Sequence, residues 1–101
     1  MSVANHKVVL AWQKGKKARN GRNSLHTDGV RLYSYRLLIG INVGGTCYLG
    51  NYTAAGEFRS MTTSQHIGRA RRYVRSIDVY HPAIFSLLAD DLAKAAEKKN
   101  D

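Results

Sequence analysis

The chain has 101 residues, 44% of them apolar and 23% charged, which fits one globular domain and excludes a disordered tail. A single cysteine, Cys47, excludes an internal disulfide, and no apolar run approaches the roughly 20 residues that a membrane-spanning helix needs. Sixteen Lys and Arg against seven Asp and Glu give a net charge of +9, a balance that attracts polyanions.

That charge is segregated. Residues 1–75 carry 13 basic side chains with only Asp28 and Glu57 opposing them, whereas residues 76–101 carry 3 basic and 5 acidic ones. The opening "MSVANHKVVLAW" has no basic segment followed by a long apolar run, so no signal peptide is expected. A reducing cytoplasm, with no membrane partner, is the expected setting.

Taken in chain order, residues 6–13, "HKVVLAWQ", are β-branched and aromatic enough to read as a strand. Residues 14–29, "KGKKARNGRNSLHTDG", have loop chemistry, with Asp28-Gly29 as a turn. Five basic residues, Lys14, Lys16, Lys17, Arg19 and Arg22, make this loop a candidate mobile arm for phosphate. "VRLYSYRLLIGI" (30–41) reads as strand, one long or two broken, and "NVGG" turns it into a returning strand at 46–52. An unbroken hairpin puts Tyr33, Tyr35, Leu37, Ile39, Ile41, Tyr48 and Tyr52 on one face. Four tyrosines there suit a stacking platform for bases, but the interleaved Leu and Ile favour a face packed on helices.

Residues 53–61 form a connector with Phe58 as an anchor, and Thr62 with Gln65 matches a capping box for a helix starting near Ser64. Along "MTTSQHIGRARRYVRSI" (61–77), Ile67, Ala70, Val74 and Ile77 share an apolar arc, and Arg69, Arg71, Arg72 and Arg75 fill the other. No acid lies three or four residues away to pair with them. Guanidinium forks suit phosphate or carboxylate, and a merely solvated face would mix signs, so this arc reads as a binding face. "DVYHP" (78–82) breaks the pattern, and Pro82 opens a C-terminal helix over about 82–99. Its core stripe is Ile84, Leu88, Leu92 and Ala95, flanked by Phe85 and Leu87.

Catalytic and metal chemistry is not recognisable. Four scattered histidines and one cysteine lack zinc spacing, the glycines form no phosphate loop, and acids before residue 76 are too few for a carboxylate centre. A Cys47–His66 nucleophile pair competes with the commoner role of a lone strand cysteine as core filler. No cofactor is expected.

The segments "ARNGRNSLHTDGVRLYSY" and "SMTTSQHIGRARR" resemble a group of small uncharacterised bacteriophage proteins. In that group an Arg-Asn segment precedes a Gly-hydrophobic-Tyr-Ser-Tyr strand, and Thr-Thr-x-x-His opens a helix. Here the matching positions are Arg22-Asn23, Gly29 with Leu32-Tyr33-Ser34-Tyr35, and Thr62-Thr63 with His66. The resemblance implies a phage gene product acting in an infected bacterial cytoplasm, and no particular activity. On its own chemistry, His66 reads as a packed, hydrogen-bonded histidine of the first helical turn.

The expectation is therefore a single α+β domain over 1–101, with a small antiparallel sheet of two to four strands against two helices on one face. Its expected partner is nucleic acid, DNA or RNA, met by the helix arginines and the basic loop, with no enzymatic activity. The alternative is a phage-encoded inhibitor that docks on an acidic surface of a host defence or nucleic-acid-processing protein.

Overall fold

The computed structural model describes residues 2–52, 61–74 and 77–99, without the side chains of 61, 62, 64 and 97–99. The Phe58 anchor, Arg75 and the Thr62 side chain of the capping box lie outside the described residues. The helix expected to start near Ser64 begins at Met61, with Thr62 already inside it. Among those described, the elements run α1 (Asn5–Gln13), β1 (Ala18–Arg19), β2 (Leu25–Thr27), β3 (Arg31–Ser34), β4 (Leu37–Val43), β5 (Thr46–Gly50), α2 (Met61–Tyr73), β6 (Ile77–Tyr80) and α3 (Pro82–Lys99). The α+β class stands, but the sheet has six strands in the order of the sequence. It is mixed, because β6 returns parallel to β5 after α2 while every other pair is antiparallel.

The strand expected at 6–13 is helix α1. Val8, Val9 and Trp12 are its buried residues, a spacing that places them on one helical face, and burial outweighs their β propensity. Gly15, at φ +75°, ends the helix: its N–H bonds the Trp12 carbonyl and that of Lys16 bonds Ala11, the Schellman pattern.

Residues 14–29 are not one loop, for they hold β1 and β2. Asn20 builds the turn between them. Its Oδ1 accepts from the Ser24 and Leu25 N–H groups at 2.9 and 3.3 Å, while Nδ2 donates to Asn5 Oδ1 and Ser24 Oγ, both at 2.8 Å. The "VRLYSYRLLIGI" segment is two strands, folded back at Tyr35-Arg36, with a bulge beyond Leu32/Tyr33. Gly44 and Gly45, both at positive φ, make the two-residue turn into β5.

Helices cover both faces. Gly40 pairs with Leu49, and a Cβ at Gly40 would lie 2.6 Å from the Trp12 ring, so α1 sits on that face. Gly50, the next residue of β5, points the other way and would meet the Phe85 ring of α3. Two helices on one face is thus corrected to α1 and α2 on one face and α3 on the other. The α3 face is also turned from the expected stripe: Phe85, Ala93 and Ala96 are buried, whereas Ile84, Leu87 and Ala95 are exposed. Ile77, expected at the end of the arginine helix, is in β6 opposite Cys47. No helix among the described residues is long and apolar enough to cross a membrane.

Candidate functional site

The α2 arginines occupy the face expected of them. Ile67, Ala70 and Val74 are buried, and Arg69, Arg71 and Arg72 are exposed. None of these three is in an ion pair with another described residue; Arg31–Asp28, at 3.6 Å, is the salt bridge found among the described residues.

The basic residues of 14–29 are all exposed but divide into three places. Arg22 lines a cleft with Asn5, Tyr35, Gln65 and His66, so it stands beside the first turns of α2. Lys17 and Arg19 line a second cleft with Asn23, His26 and Tyr33, on the sheet. Lys14 is at the far end of α1, in a hollow with Gly44, Gly45 and Ala96, and Lys16 follows Gly15 there. With α1 rising ~1.5 Å per residue, that end is more than 10 Å from Asn5. A single mobile arm is therefore corrected to ordered cations at separate positions, because Asn20 and the β1–β2 pairing fix the segment.

The Tyr-Ser-Tyr and Thr-Thr-x-x-His segments meet in space. Ser34 Oγ lies 2.7 Å from His66 Nδ1 and 2.9 Å from Thr63 Oγ1, and all three residues are buried. Burial, and then the nearby Arg69 guanidinium, hold the His66 pKa below its ordinary value, so the ring is neutral at pH 7. Ser34 is 1% exposed, which makes this cluster the bolt between the β3–β4 turn and α2. His66 uses Nδ1 on Ser34 and not on Cys47, whose buried thiol is pushed up to about 11 by desolvation. The described residues hold no group of His, Cys, Asp and Glu that could bind a metal ion.

The turn so bolted carries Tyr35, which has a left-handed φ of +56° and is 53% exposed. A bulky residue held there is strained, and strain persists only where the surroundings impose it. Here the Tyr35 N–H bonds the Ser24 carbonyl at 2.7 Å, and its own carbonyl lies 3.0 Å from His26 Nε2. His26 in turn stacks on Tyr33, ring centres 5.1 Å apart and planes 15° from parallel.

The four tyrosines do not all share one face, for Tyr35 falls in the β3–β4 turn, whereas Tyr33 and Tyr48 both lie on the side that bears α3. Ser34 pairs with Leu37 and Tyr33 with Leu38, so the turn and the bulge break the alternation assumed for a long hairpin. Tyr48 stacks on Tyr80, and Tyr52 meets Phe85 edge-on, beside α3. Tyr33, farther along that side, lines an open cleft with Tyr35, Asn23, His26 and Arg36. Sequence reading missed His26 and Arg36; the signal available was that His26 and Tyr33 are cross-strand partners once Asp28-Gly29 is taken as the turn. Comparison with known proteins gives no match, whether among family models, curated proteins or solved structures.

Proposed function

We propose that this protein binds nucleic acid through the arginine face of α2 together with the cations beside it on the β1–β2 segment. The observation that carries the reading is that Arg69, Arg71 and Arg72 are exposed and in no ion pair with another described residue, while the opposite face of the same helix is buried. Like charges so close repel by a few tenths of a kcal/mol per pair, a cost that a bound phosphate backbone would reverse. Arg22 adds a cation across the cleft from Gln65. Binding of this kind works by phosphate contact and counterion release, with little sequence readout. The test is Arg69→Glu/Arg72→Glu: affinity for labelled oligonucleotides is lost while circular dichroism is unchanged. Retained affinity ends the proposal.

A second reading is docking on a nucleic-acid-processing protein. It is favoured by Ile84 and Leu87, which are 50% and 81% exposed on α3. Stoichiometric co-purification of one protein from a nuclease-treated lysate, abolished by Leu87→Lys, is its expected result.

A further inference from the structure

The half of the sheet formed by β1–β3 carries aromatic rings on the face that bears α3 further along. Arg31 pairs with Ile41, and Tyr33 lies two residues on, so both project to the side opposite Leu32 and Ser34. Leu32 and Ser34 are buried on the α1–α2 side, whereas Tyr33 and its stacked partner His26 are only half-buried and line two clefts that share Asn23. α3 packs over β4 and β5 and leaves these rings accessible.

We propose that His26, Tyr33 and Tyr35 form a stacking platform for unpaired bases, so that the ligand is single-stranded nucleic acid. The proposal rests on the electrostatic reading above and adds strand selectivity to it. Three relationships support it. The His26–Tyr33 stack is pre-formed and locked by the Tyr35 carbonyl, so a base can add to it with little further ordering. Cations border the rings, with Lys17 and Arg19 on one side and Arg36 on the other, at positions suited to the phosphates on either side of a stacked base. The one acid among the described residues of the cleft, Asp28, is already held by Arg31 and by the N–H groups of Val30 and Arg31.

Tyr35 also joins this surface to the α2 arginines. It lines both the open cleft with Tyr33 and Arg36 and the cleft with Arg22, Gln65 and His66. A strand laid across Tyr35 therefore passes from the ring platform to the arginine face without leaving the surface. The buried Ser34–Thr63–His66 cluster is what keeps the two halves in register.

The experiment is fluorescence anisotropy of the full chain against a labelled single strand, DNA and RNA, its duplex, and an abasic strand of equal charge. The variant is Tyr33→Leu/Tyr35→Asn, which keeps an apolar body at 33 and a residue tolerant of positive φ at 35. The wild type is expected to prefer the single strand, and the variant to lose roughly tenfold or more for it. Duplex and abasic affinities should not move. Loss of duplex binding to the same degree, or single-strand affinity unchanged in the variant but abolished by Arg69→Glu/Arg72→Glu, overturns the platform and leaves the electrostatic reading standing. Absence of all binding by the wild type at low salt overturns both.

Discussion

Ser34 Oγ and His66 Nδ1, 32 residues apart in sequence, lie 2.7 Å apart in the interior and fasten the β3–β4 turn to the helix that carries the arginines. Because burial and then Arg69 disfavour the imidazolium, folded His66 binds its proton more weakly than the unfolded chain does at the ordinary value of 6.5. Between those two values the unfolded state holds more protons, so stability is fully present above pH 6.5 and is lost as pH falls towards the folded pKa. Denaturant titrations stepped from pH 7.5 to 5 should show that decline, and His66→Gln should flatten it. An equal slope in the variant would remove His66 as its cause.

Removing the other partner leaves a buried nitrogen with no bond. Ser34→Ala should cost about 1–3 kcal/mol, which for a domain of this size lowers Tm by several degrees per kcal/mol. Thr63 Oγ1 loses its Ser34 partner as well, and Ser34→Thr keeps the hydroxyl at the expense of a methyl. Recovery of part of the Tm in Ser34→Thr would identify the hydrogen bond, and not the volume, as the stabilising element.

Gly40 and Trp12 test the face assignment. A Cβ at Gly40 would lie 2.6 Å from Trp12 Cζ2 and 2.8 Å from Cη2. The ring has no room to slide, because its Nε1–H bonds the Val30 carbonyl at 2.9 Å. Moreover, Asn42 Nδ2 holds the Trp12 carbonyl at 2.8 Å. Gly40→Ala should therefore destabilise by about 1–3 kcal/mol, as overpacking does. Emission of Trp12, the chain's one tryptophan, should move to the red. Unaltered Tm and emission would place α1 elsewhere.

What could be read from residues alone follows the strength of the local signal. The Gly44-Gly45 turn, the Pro82 helix start and the division of α2 into buried Ile67 and Ala70 against exposed arginines were legible, since each is decided within a few residues. Helix α1 was not, because Val8, Val9 and Trp12 satisfy both a β-propensity count and a helical face. Nor was the meeting of Ser34 with Thr63 and His66, for it depends on a two-residue fold-back at Tyr35-Arg36 that reverses which side chains share a face. β6 is too short and too polar at Asp78 to stand out from the break before Pro82.

In α3 the ambiguity has a measurable consequence. Ile84, Phe85, Leu87 and Leu88 are all apolar, so several stripes fit the sequence equally, and only the sheet decides between them. Phe85 lies over Gly50 and edge-on to Tyr52. Phe85→Ala should cost about 3–5 kcal/mol, whereas Leu87→Ala, at an exposed site, should stay within about 0.5 kcal/mol of the wild type. Comparable losses from the two would restore the stripe expected from sequence.

The separation of the basic residues predicts an uneven salt response. Each phosphate contact on a duplex contributes about 0.9 to the slope of log affinity against log salt, and about 0.7 on a single strand. Arg69→Ala, close enough to His66 to act on its charge, and Arg22→Ala, in the cleft that His66 lines, should each reduce the slope by about one such contact. Lys14→Ala should leave it unchanged, because Lys14 is at the opposite end of α1 beside Gly44 and Ala96. A net-charge effect acting at long range would instead make the three variants equal, since each removes one positive charge. Equal slopes would thus argue for an unstructured electrostatic cloud, and unequal ones for a path defined by Tyr35 and the face of α2.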